Sequence, residues 1–268
     1  MISLIISILM GFGMYETLVM TTDELSHIWC AIFALITMIG CQLLFGLYFR
    51  KKVNAVSEAI QQVIAEGQQK IQRKANMFQM KPAGGIKHMQ KLLEKDQEAS
   101  IRKALELTND MEPLWNWSLL LKKQTDTMRM QFYYQLGDFK KVDELLPNCM
   151  FMEPLSVAMK MARQYKNDDP KLEKTFKAKK RKFKGDDGVI IHSLYAWILV
   201  KQGKTDEALK VLTDAKEWTS DETILRNWEM LANDKVKSFS NAGLGDQWYA
   251  LKLENPKTPR QKMKKRFK

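Results

Sequence analysis

The first 49 residues contain no lysine or arginine, and all 43 of these residues lie from Arg50 onward. Two apolar segments fill that opening stretch. Ile2 to about Met20 is interrupted once, by Glu16, and Ile28 to Phe49 carries no charged residue. A helix needs about 20 predominantly apolar residues to cross the hydrocarbon core of a bilayer, so the second segment meets the length fully and the first narrowly. A secretory signal would carry a basic leader and a clean small-x-small cleavage site, and the first segment has neither. Both segments therefore read as transmembrane helices, a hairpin over 1–52.

Charge sets the orientation. Arg50, Lys51 and Lys52 follow the second span directly, whereas the connector carries Glu16, Asp23 and Glu24 and no positive charge. Short-loop Lys and Arg stay on the cytoplasmic side, so both termini and the soluble part are expected there, with the connector outside. An antiparallel hairpin would bring Gly11 and Gly40 to similar depth, where small residues permit close backbone approach. Thr21 with Glu24 three residues on fits a capping box that would start the second helix in the connector.

Beyond the membrane, Val53, Val56, Ile60, Val63 and Ile71 make a heptad-like stripe over 53–81. It is read as a solvated helical stalk with one sticky face, open to self-association. Pro82, Gly84 and Gly85 then mark a linker over 82–86. From there to 254 the chain shows helical periodicity throughout and no run of alternating β-branched residues, so the fold class is all-α. Asp168 and Asp169 before Pro170 signal a helix start, and Asp221 signals another.

Little in the sequence points to chemistry. His27, His88 and His192 are dispersed. Cys30 and Cys41 are roughly 16 Å apart on one helix at about 1.5 Å per residue, too far for a disulfide. Cys149 has no neighbour, and no CxxC or metal-ligand spacing occurs. Residues 241–248, NAGLGDQW, lack the preceding strand and the lysine of a phosphate loop; a helix stop at Gly243 and an N-cap at Asp246 are expected instead. The chain is read as non-enzymatic, without cofactor or metal. The tryptophans are read mainly as helix-packing residues.

Two basic runs stand out on a chain of formal net charge +12. Residues 174–184 carry seven Lys or Arg and no acid, among them Lys177, Lys179, Lys180, Arg181 and Lys182; the tail within 255–268 carries seven more, among them Lys262, Lys264, Lys265 and Arg266. Beside an anionic inner leaflet such runs imply electrostatic docking on lipid head groups. RNA or ribosome binding is the other reading, and the interleaved Phe176, Phe183 and Phe267 suit either membrane insertion or base stacking.

Within residues 203–212, GKTDEALKVL, Gly203 is followed by Ala208, Leu212 and then Ala215, and preceded by Ala196 and Leu199. The frame recurs at Gly137 with Val142, Leu146 and Cys149, Tyr133 preceding. This pattern resembles the tetratricopeptide repeat, a family of antiparallel helix pairs about 34 residues long. A degenerate unit is expected between the two, with Asn167 in the place of the turn glycine, Leu172 and Phe176 following, and Lys179 in the place of a small residue. Weaker units surround residues 103–107 and 227–231. The resemblance implies an α-solenoid over 87–254 whose concave surface holds a protein or peptide partner, which makes the chain a membrane-anchored adaptor.

Overall fold

The computed structural model describes residues 2–22, 26–80, 85–118 and 120–256, and among them every regular element is a helix. Helices α1 (Ile2–Thr21) and α2 (His27–Met80) are both long and apolar enough to cross a membrane. Their outer faces are open: Leu9, Phe12, Leu43, Leu44 and Leu47 are between 62% and 69% exposed, far more than core leucines tolerate in water.

The two pack antiparallel through small and polar residues. Ser3, Ser7 and Gly11 recur every fourth residue, hence on one face of α1, and are the side of it that is buried. Ser7 Oγ donates to Gln42 Oε1 at 3.0 Å. A Cβ on Gly11 would stand 3.1 Å from the Ala34 carbonyl oxygen and 3.2 Å from Met38 Cβ. The expected partner of Gly11, Gly40, has nothing within 4 Å of its own Cβ position. The Ser7–Gln42 bond fixes a register in which Met38 opposes Gly11, and equal depth alone does not supply that constraint. Thr21 closes α1, its hydroxyl donating back to the Thr17 carbonyl at 2.6 Å, and Ser26 precedes α2, its Oγ accepting from Ile28 N at 3.4 Å. Glu24 of the capping box lies outside the described residues.

Helix α2 continues unbroken past Arg50, Lys51 and Lys52 for 54 residues in all. The expectation of a solvated stalk fails here, because the next helix covers the stripe. Helix α3 (Ile86–Leu107) runs back antiparallel along α2. Asp96 sits between Lys70, at 3.2 Å, and Lys74, and the Lys74 hydrogen bond holds its carboxyl below the usual carboxylate range. Gly67 lies against Ser100, and Ile60 is buried in a core with Ile101, Ala104, Met111 and Phe132, flanked by Val56 and Val63. The stripe is spent within the chain. Residues Pro82 and Gly84 of the linker lie outside the described residues; Gly85 takes φ 82° just before α3.

A tight 3-10 segment, Thr108–Trp117, carries the chain back to the hairpin, where Ser3 Oγ donates to the Trp117 carbonyl at 3.1 Å and the Phe49 ring stacks on Trp117 at 4.5 Å. Helices α4 (Leu121–Leu136) and α5 (Phe139–Leu145) complete the first of two compact units, Met1–Met150.

The second unit, Phe151–Lys268, contains α6 (Pro154–Lys166), α7 (Leu172–Lys180), α8 (Val189–Lys201), α9 (Thr205–Lys216), α10 (Glu222–Ala232) and the short α11 (Asp246–Tyr249). Helix α8 is its hub. Every residue from Val189 to Leu199 is buried, and α6, α7 and α9 all pack on it while α10 packs on α9. A helix that is apolar on all sides can only be placed inside. Asp221 caps α10 as expected, accepting from Thr223 N at 2.9 Å and Ile224 N at 3.0 Å.

Candidate functional site

The turns that end the helices are local devices of one kind. Gly137, Asp168, Gly203 and Asp234 have φ of 80°, 50°, 76° and 55°. At each, the following backbone N–H reaches back across the turn: Asp138 to Tyr133, Asp169 to Gln164, Lys204 to Leu199 and Lys235 to Met230, at 2.7–3.0 Å. This is the Schellman arrangement, which needs one left-handed residue per turn. From 137 to 168 and from 203 to 234 the interval is 31 residues, and from 168 to 203 it is 35. Asn167, expected in that role, has φ −100°; Asp168 takes it one residue later, since aspartate also tolerates the left-handed region.

The residues flanking these turns are mostly buried. Val142, Ala196, Ala208, Leu212 and Ala215 are fully enclosed, and Leu172 and Phe176 nearly so. Leu146 is only half-buried, because α5 ends before it and the chain tightens into a 3-10 turn at Pro147. Cys149 is half-buried as well.

The basic run 174–184 is not one open cationic face. Lys177 pairs with Glu173 at 2.5 Å and Lys180 with Asp214 at 3.2 Å. Lys179 turns inward and donates to the Phe151 carbonyl at 3.1 Å; burial, then the nearby Lys182 and Lys160 charges, pull its ammonium below the usual lysine range. Phe176 and Phe183 are buried, Phe176 stacking on Tyr195 at 3.9 Å, so neither ring is presented for lipid insertion or base stacking. Arg181, Lys182 and Lys184 are exposed. Lys262, Lys264, Lys265, Arg266 and Phe267 lie outside the described residues.

Between the α6–α7 turn and the α8–α9 turn lies a polar cleft of about 280 Å³. Asp168, Asp169, Glu173 and Glu207 line it, opposed among its lining residues by one cation, Lys204. Gln164, 6% exposed, forms part of its wall: its Nε2 donates to Asp169 Oδ2 at 3.0 Å, and its Oε1 is buried without a hydrogen-bond partner. Tyr195 faces the same space, and burial together with the Glu173 and Glu207 charges pushes its hydroxyl up to about 12. Two of its acids already have partners: Glu173 pairs with Lys177, and Asp169 accepts from Gln164 Nε2 and, at 2.9 Å, from the Lys171 backbone N–H. Among the described residues no group of three or more His, Cys, Asp or Glu side chains comes close enough to hold a metal ion.

The sequence did not foretell three features around the hub. His192 is buried between Phe176 and Trp218 with Nδ1 at 2.9 Å from the Gly188 carbonyl; burial lowers its pKa below the usual histidine value. Asn241 donates to the Ser193 carbonyl and accepts from Asn227, both at 2.8 Å, tying the 240s loop to α8 and α10. Glu254 receives the indole N–H groups of both Trp197 and Trp248 at 2.9 Å. A carboxylate at no fixed spacing from any motif leaves no signal in a sequence. In the same loop Gly243, expected as the helix stop, instead rests on Thr223 Oγ1, 2.5 Å from where its Cβ would lie. Gly245, at φ 56°, makes the turn, and Asp246 is the first residue of α11 without a side-chain cap bond.

No protein-family model matches the chain, and no match was found among the curated proteins or the solved structures.

Proposed function

We propose that the chain is a non-enzymatic membrane-anchored adaptor. The hairpin α1–α2 holds it in the bilayer with both termini on the cytoplasmic side, and helix pairs of tetratricopeptide-like character present a surface to a protein partner. The observation that carries this reading is the coexistence in one chain of two apolar helices with open outer faces and a helix-paired unit bearing a polar cleft of peptide-side-chain dimensions. Anionic head groups are a second surface partner, served by the exposed Arg181, Lys182 and Lys184 and by the tail bases. No catalytic residue, cofactor or metal enters this proposal.

The test uses the whole chain in mild detergent, because Ile60 of α2 lies in one core with Ile101 and Phe132 and a fragment beginning after α2 would lose that support. Tagged protein is used to capture partners at physiological salt with and without nuclease. The adaptor reading expects a defined protein that stays bound after nuclease. Retention of RNA alone, with a log-log salt slope proportional to the phosphates neutralised, replaces it with a nucleic-acid or ribosome tether.

A further inference from the structure

Where the 3-10 segment Thr108–Trp117 returns to the hairpin, the packing leaves a groove of about 590 Å³ between α1, α2 and the start of α4, within the size range of small-ligand sites. Gln42, Phe45, Gly46, Phe49 and Val53 recur at intervals of three and four and form its α2 side. Leu4 and Ile5 of α1 and Leu120 before α4, all exposed, stand around it. Trp117 forms part of the wall and is fixed there by specific contacts: its ring stacks on Phe49 at 4.5 Å and lies 6.2 Å from Phe45, and its carbonyl accepts from Ser3 Oγ at 3.1 Å.

The polarity of this groove runs one way. No carboxylate lines it, and its single charged group is Arg50, which is exposed and has no ion-pair partner among the described residues. Arg50 follows Gln42 by eight residues. That is about 12 Å along a helix at 1.5 Å per residue, against about 15 Å for half of a hydrocarbon core. An occupant complementary to these walls has an anionic, hydrogen-bond-accepting head at the Arg50 end and a flexible apolar chain below it. A phospholipid carries both. A peptide segment would instead bring backbone N–H and C=O groups that the Leu4, Ile5, Phe45 and Phe49 side chains cannot satisfy.

We propose that this groove binds one anionic glycerophospholipid from the leaflet at the Arg50 end, its phosphodiester on the Arg50 guanidinium and the upper part of an acyl chain along Phe45, Gly46 and Phe49. The site rests on the membrane reading of α1–α2 and adds to it a defined lipid partner. The lipid then fills space that protein atoms leave open between the hairpin and α4.

The full chain is reconstituted into phosphatidylcholine vesicles doped with phosphatidylglycerol bearing a photoreactive diazirine on its acyl chain, and labelled residues are mapped by mass spectrometry. Labelling at Phe45, Phe49, Trp117 and Leu120 should exceed that at Leu44 and Leu47, which occupy the same stretch of α2, are exposed and lie outside the groove. The same diazirine on phosphatidylcholine should show about fivefold less of that excess, the share that one basic residue contributes to anionic-lipid attraction. Arg50→Gln should lower the phosphatidylglycerol excess to the phosphatidylcholine level. Gly46→Leu should abolish both, because a Cβ there meets nothing within 4 Å and the added side chain occupies groove space without a clash. Uniform labelling of α2, an excess that survives Gly46→Leu, or one indifferent to Arg50→Gln would each overturn the proposal. Alkaline carbonate extraction separates this from failure of the premise: release of the chain from the vesicles removes the membrane reading and the site together, whereas an embedded chain with uniform labelling removes the site alone.

Discussion

Buried His192 couples the hub to pH. Its imidazole is enclosed by Phe176 and Trp218 in the first turn of α8, and burial lowers its pKa below the ordinary value of 6.5. Between the folded value and about 6.5 the unfolded chain binds more protons than the folded one, so stability rises with pH through that window. Above it the residue is neutral in both states and contributes no slope. Melting temperature should therefore fall as pH drops from 7 through 6, and His192→Gln, which keeps a donor for the Gly188 carbonyl, should flatten that dependence; equal slopes for the two proteins would refute it. Single residues also show where the sequence was legible and where it was not. Ala208 and Leu212 could be read because small and large apolar residues at helical spacing have one physical use, close packing. Lys179 could not, since a lysine in a basic run looks the same whether its ammonium meets solvent or the Phe151 carbonyl. The shift of the left-handed residue from Asn167 to Asp168 has a similar origin: both side chains tolerate that conformation, and packing decides between them.

At the scale of elements, the two interfaces that matter most depend on the absence of side-chain bulk. Helix α2 is crossed by α3 at Gly67, where a Cβ would lie 2.6 Å from Ser100 Cβ. Alanine is intrinsically better than glycine in a helix by about 1 kcal/mol, but Ser100 Cβ is anchored to its own helix and cannot swing aside. Gly67→Ala should thus destabilise the first unit by about 1–3 kcal/mol as the helices are pushed apart. The pair Gly67→Ala with Ser100→Gly should recover most of that loss in thermal melts; no recovery would place the strain elsewhere. In the second unit Ala208 on α9 is wholly enclosed, and α9 packs on α8. Ala208→Arg adds volume and an unpaired charge there and should cost about 3 kcal/mol or more. A wild-type melting temperature would mean that this contact is not where the packing energy resides. The elements themselves were legible from periodicity and caps, Asp221 above all. The covering of the α2 stripe by α3 was not, because an apolar stripe records that something packs on it and never what.

For the molecule as a whole, the proposed membrane anchor turns topology into a binary choice. Helices α1 and α2 are antiparallel, with Ser7 beside Gln42 and Gly11 beside Met38, so Ile2 and Arg50 emerge at one end and the connector at the other. A 54-residue helix is about 81 Å long at 1.5 Å per residue, against a hydrocarbon core of about 30 Å, so in the proposed membrane arrangement more than half of α2 projects from the bilayer. The 3-10 segment returns Trp117 onto Phe49, one residue before Arg50, and in the proposed arrangement that indole would lie where aromatic belts sit. In the proposed arrangement the basic residues set the side: Arg50, Lys51 and Lys52 would favour the cytoplasm, and the connector carries no Lys or Arg to oppose them. A tag following residue 268 should be digested by protease in sealed inside-out vesicles and protected in right-side-out ones. Replacing Arg50, Lys51 and Lys52 with Gln while introducing lysines at Thr21 and Thr22 should invert a substantial share of the chains, because the bias is carried by local positive charge and not by the apolar segments. Protection of the tag in inside-out vesicles would reverse the assignment and, with it, move the cleft and both basic runs to the outer face.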